Sequence, residues 1–81
     1  MTTQVALIGL VVSDYNSVEK MNAILHQYGA YIIGRMGIPY KQADVSIISI
    51  ALDAPQDIVS ALSGKLGALP GVSSKTITQK L

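Results

Sequence analysis

The chain has 81 residues, a formal net charge of +1 and no cysteine, with 49% hydrophobic and 14% charged residues. That length fits a single domain, residues 1–81, which on folding hides only about 60% of its unfolded surface. The small net charge excludes a field that draws nucleic acid or anionic lipid, the absent thiols exclude disulfides, thiolate metal sites and Cys nucleophiles, and a charged share below the usual ~25% favours self-association.

Residues 5–12, VALIGLVV, are short, rich in β-branched side chains and bounded by polar residues, which predicts a fully buried strand. Ser13-Asp14-Tyr15-Asn16-Ser17 follows with several helix N-cap candidates. Val18, Met21, Leu25 and Tyr28 then recur at helical spacing with Ile24 on the flank, and Gly29 is the expected C-cap. Residues 30–38 form a second strand, weakened by Gly34 and Gly37, which point to a bulge or close backbone approach, and ended by Pro39. A polar turn, residues 40–44, leads into a third apolar strand over residues 45–52, VSIISIAL. Asp53 or Ala54 is the expected cap of a second helix, with Pro55 in its first turn and Ile58, Ala61, Leu62 and Leu66 as its apolar stripe. Gly67 and Leu69-Pro70-Gly71 end it, and residues 72–78 give a last, more polar strand suited to a sheet edge.

The order β-α-β-β-α-β is the ferredoxin-like, split βαβ pattern: α+β, an antiparallel sheet in the order 4-1-3-2, with two helices on one face. The two most apolar segments fall on the central strands. Alternation puts Val5, Leu7 and Val11 on one side and Ala6, Ile8, Leu10 and Val12 on the other, and splits residues 45–52 in the same way. Two helices cover one face. The other is apolar at its centre, and a bare apolar patch beyond a few hundred Å² is more than a monomer usually carries. A second copy, in a dimer or tetramer joined through a sheet face or edge, is the expected cover. The bland alternative is that Gly9, Ser46 and Ser49 lighten the face enough for a small monomer.

No catalytic constellation stands out, so the chain reads as a non-enzyme, with no cofactor and no metal site expected. His26 lies on the flank of the first helix with no second ligand nearby. The carboxylates at Asp14, Asp53 and Asp57 are explained by capping. Gly64-Lys65-Leu66-Gly67 lacks the full phosphate-loop pattern and closes a helix where such a loop opens one. Four tyrosines without an aromatic run give no RNA-stacking platform, and no helix reads as a DNA reader. No apolar run reaches the ~18–20 residues of a membrane span. Residues 5–12 lack the flanks of a signal peptide, so a cytoplasmic, full-length chain is expected. Arg35 is the charge to single out, set mid-strand between two glycines that let a ligand or a neighbouring backbone approach.

Arg35-Met36-Gly37-Ile38-Pro39, together with Ala61-Leu62-Ser63-Gly64-Lys65-Leu66-Gly67 and Pro70-Gly71-Val72, resembles the iron-only (FeFe) hydrogenase system regulators, small ACT-like proteins, over essentially the whole chain. The resemblance implies a ferredoxin-like fold, homo-oligomers and a regulatory role. It points to Arg35, Gly37, Pro39, Ser63, Gly64, Lys65, Gly67 and Gly71. The first strand-helix turn has no glycine, unlike many amino-acid-binding ACT domains, and one His without Cys does not supply the nickel site of related regulators. The expected function is an ACT-like, small-molecule-sensing module, with ligand contacts at Asp14, Asn16, Arg35 and Gly37. The alternative is a structural interaction module that takes a partner protein and no small ligand.

Overall fold

The computed structural model describes residues 3–80. Its elements run β1 (Gln4–Val12), α1 (Asn16–Gln27), β2 (Ile32–Tyr40), β3 (Val45–Ala54), α2 (Gln56–Gly67) and β4 (Val72–Lys80). The sheet order is β2-β3-β1-β4, antiparallel throughout, which is the ferredoxin-like arrangement the sequence predicts. β1 and β3, the most apolar strands, are central, because only central strands hide both of their edges.

Both helices lie on one face. Ala6, Ile8, Leu10 and Val12 of β1 and Ile48, Ile50, Leu52 and Ala54 of β3 are buried beneath Met21 and Leu25 of α1 and Val59, Leu62 and Leu66 of α2. The strict alternation of buried and exposed positions along β1 is the period-2 pattern of a sheet covered on one side.

Several local expectations are corrected. Pro39 does not end β2 but lies within it opposite Ser46, tolerated because β2 is an edge strand and an outward-facing N–H is dispensable there. The irregularity foreseen near Gly34 is present as a register shift between Ile32 and Gly34. Gly29 is no left-handed cap: α1 hands over to a single 3-10 turn, Gly29–Tyr31, without a positive φ. Asp53 and Ala54 are strand residues opposite Val5 and Gln4, because pairing with β1 carries β3 two residues further. Pro55, with ψ 155°, then stands just outside α2 and turns the chain into it. The buried stripe of α2 is Val59, Leu62 and Leu66, while Ala61 faces solvent.

Candidate functional site

The four residues singled out for ligand contact fall into two groups. Asp14 and Asn16 sit in the β1–α1 loop, where the Asn16 N–H donates to Asp14 Oδ1 at 2.9 Å. This loop is stitched to the turn before β4. The Ser13 N–H and hydroxyl both donate to the Gly71 carbonyl, at 2.8 and 3.1 Å, and the buried Ser17 hydroxyl donates to the Pro70 carbonyl at 2.6 Å. Gly71 has φ +71°, and a Cβ there would lie 2.7 Å from that of Asp14.

Arg35 and Gly37 belong to the opposite sheet edge. Arg35 pairs with Ile50 and Gly37 with Ile48, which puts both on the helix side of β2. The exposed Arg35 guanidinium donates from Nη2 to Asn22 Oδ1 on α1 at 3.1 Å. Gly37 has open space where a side chain would stand. Asp14 therefore meets Asn16 and Gly71, Arg35 meets Asn22, and no hydrogen bond among the described residues joins the two groups. At the loop end of the sheet, Tyr15, Pro39, Tyr40, Lys41, Asp44 and Val45 enclose a hollow of about 70 Å³, room for roughly two waters.

The residues of the second motif pack. Leu62 and Leu66 enter the core, and Ser63 Oγ lies 2.9 Å from Thr76 Oγ1 of β4. Lys65 Nζ stands 5.1 Å from the centre of the Tyr28 ring, tying α2 to the end of α1. Gly67 lets the helix approach Ser74, whose hydroxyl would lie 3.1 Å from an added Cβ.

The most extensive feature is the sheet face away from the helices. Cross-strand pairing sets it out in rows: Ile38, Ile47, Val11 and Ser73; then Met36, Ser49, Gly9 and Lys75; then Gly34, Ala51, Leu7 and Ile77. Leu7, Val11 and Ile47 are 45%, 44% and 42% exposed, Met36 54% and Ile77 70%. The hollows around Gly9, around Gly34 and between Leu7 and Ile77 hold about 330, 260 and 220 Å³, and all three open on this face. The contributions of β1 and β3 were legible in the alternation of their residues. Met36, Ile38, Tyr40 and Ile77 were missed, although Met36, Ile38 and Tyr40 carry the same period of two; the glycines and Pro39 around them masked it. Ser46, weighed as lightening this face, lies on the helix side opposite Val12.

A family model described as "TM1266-like: Iron-only hydrogenase system regulator, putative" matches residues 4–76. The structure of the uncharacterized protein TM1266 from Thermotoga maritima is 31% identical, with a TM-score of 0.90 over 94% of this chain and 96% of that one. A nitrogen regulatory PII-like protein, CPII from Thiomonas intermedia K12 in its apo form, shares the fold at 11% identity and a TM-score of 0.60, covering 100% of this chain and 95% of that one. A formyltetrahydrofolate deformylase from Pseudomonas putida KT2440 does so at 15% identity and a TM-score of 0.60; 91% of this chain aligns, spanning only 28% of the deformylase. Among curated proteins none matches the chain.

Proposed function

The chain belongs to the family of iron-only hydrogenase system regulators, and on that premise we propose that it is a small ACT-like regulatory module, not an enzyme. Copies of it associate through the sheet, and a small-molecule effector binds and shifts the assembly equilibrium. The observation that carries this reading is the uncovered apolar sheet face, with seven large side chains between 42% and 70% exposed. At about 25 cal/mol per Å², covering a few hundred Å² contributes several kcal/mol before association costs. The fold-level likeness to a PII-like nitrogen regulatory protein is consistent with a regulatory use of this scaffold.

The effector is assigned to Asp14, Asn16, Arg35 and Gly37. The two pairs lie on different parts of one copy, and Arg35 and Gly37 are on the helix side of β2, away from the uncovered face. Arg35 carries the charge that selects an anionic group, and its hydrogen bond to Asn22 holds the guanidinium along α1.

Native mass spectrometry of freshly purified protein tests both halves, because it reports subunit number and any retained small molecule together. A homo-oligomer carrying a discrete added mass is expected. Arg35→Ala removes an exposed side chain, so stability should change by less than about 0.5 kcal/mol, while the added mass and its effect on assembly are lost. If assembly and ligand retention both survive Arg35→Ala, the effector assignment is wrong. A ligand-free monomer that becomes well behaved only on co-expression with another protein favours the partner-binding alternative.

A further inference from the structure

We infer that the uncovered sheet face is closed by a second copy of this chain packed face to face about a twofold axis parallel to the strands, with Gly9 and Ser49 of both copies at its centre. This rests on the self-association proposed above and commits it to one surface.

The edges are poorly suited to pairing. β2 carries Pro39 and the irregularity at Ile32–Gly34, which remove a donor and distort the ladder. β4, the other edge, has Lys75 and Lys80 among polar neighbours. The face has the right size. Four strands about 4.8 Å apart and four outward positions about 6.8 Å apart span roughly 500 Å² in plan. Side chains standing off the sheet bring this towards the ~800 Å² that each partner gives up in a stable complex.

The pairing pattern makes the face complementary to itself. An axis along the strands, between β1 and β3, lays β1 over β3 of the second copy and β4 over β2. Leu7 then meets Ala51, Ile77 meets Gly34 and Ile38 meets Ser73, three large side chains on small ones, while Val11 meets Ile47, Gly9 meets Ser49 and the Lys75 stem lies on Met36. The hollow of about 330 Å³ around Gly9 lies next to that axis. An axis across the strands is disfavoured: it stacks Lys75 on Lys75 and Met36 on Met36. Packed sheets turn about 30° from one another, so the complementarity is tightest at the centre, and the test belongs there.

Gly9→Leu is the discriminating variant. A Cβ at Gly9 meets nothing nearer than the Lys75 carbonyl at 4.0 Å, so the isolated copy accommodates it, and its fold is checked by circular dichroism. In the assembled pair it fills the central hollow twice. Ser49→Leu, on the neighbouring strand, does the same from the other side. Sedimentation equilibrium should show the unaltered chain as a dimer or higher oligomer, with each variant raising the dissociation constant about a hundredfold, ~tenfold for each of the two misfits. An oligomer that both folded variants leave intact overturns the face-to-face arrangement while leaving self-association standing. A monomeric unaltered chain overturns both.

Discussion

Ser17 and Gly71 hold one junction from opposite sides. The Ser17 hydroxyl is buried and reaches the Pro70 carbonyl at 2.6 Å, so Ser17→Ala strands an acceptor. The expected loss is about 1–2 kcal/mol, read as a lowered midpoint in urea unfolding. Gly71→Ala should cost more, about 3 kcal/mol, because φ is +71° and the new Cβ lies 2.7 Å from that of Asp14 and 2.9 Å from its backbone nitrogen, neither of which moves without the loop. Gly67→Ala makes the contrast. Its Cβ meets only the Ser74 hydroxyl, at 3.1 Å, which can rotate away, and alanine gains about 1 kcal/mol in helix propensity. Its net effect should stay within ~1 kcal/mol in the same unfolding measurement. A Gly71→Ala chain as stable as Gly67→Ala would mean that the β1–α1 loop yields freely.

Among the elements, β1 and β3 are paired on both sides and carry most of the core, whereas β2 and β4 are edges. Native-state hydrogen exchange should therefore protect the amides of Ile8, Leu10, Ile48 and Ile50 most and release β2 near Gly34 first. Leu62, fully buried on α2, should cost about 3 kcal/mol on truncation to alanine. The central strands, both helices and the sheet order were legible in the sequence because apolar period, length and turn residues all agreed there. What failed were boundaries and edges. The sequence puts Ala61 in the stripe of α2 in preference to Val59, since the apolar residues Ile58, Val59, Ala61 and Leu62, broken only by Ser60, fit two helical phases and only the packing against the sheet selects one. Pro39 and Asp53 were read by local rules for strand and helix ends, and pairing with a neighbouring strand overrode those rules. The site residues were harder to place. Arg35 stands out for its charge and flanking glycines and Asp14 for its place in the first strand-helix turn, but neither feature says which side of a strand a residue faces. Arg35 proves to lie on the helix side, bonded to Asn22.

At the scale of the whole molecule, the two α-helices and four strands of the described residues leave one layer short. The described residues supply no second covering layer, and Leu7, Val11 and Ile47 are what remains exposed. In the proposed assembly a second copy of the same face supplies that layer, which would give a regulator an equilibrium for an effector to shift. No helix among the described residues is long and apolar enough to cross a membrane. The chain has no cysteine, so a single introduced thiol reports without interference. Ser49→Cys sits at the centre of the face, and Ala23→Cys is exposed on the far side of the molecule, on α1. Packed sheets lie about 10 Å apart, within reach of a short bis-maleimide. Rapid conversion of Ser49→Cys to a covalent dimer, with Ala23→Cys remaining uncrosslinked, is the predicted result; equal crosslinking at the two positions, or none at Ser49→Cys, contradicts the face as the surface where copies meet.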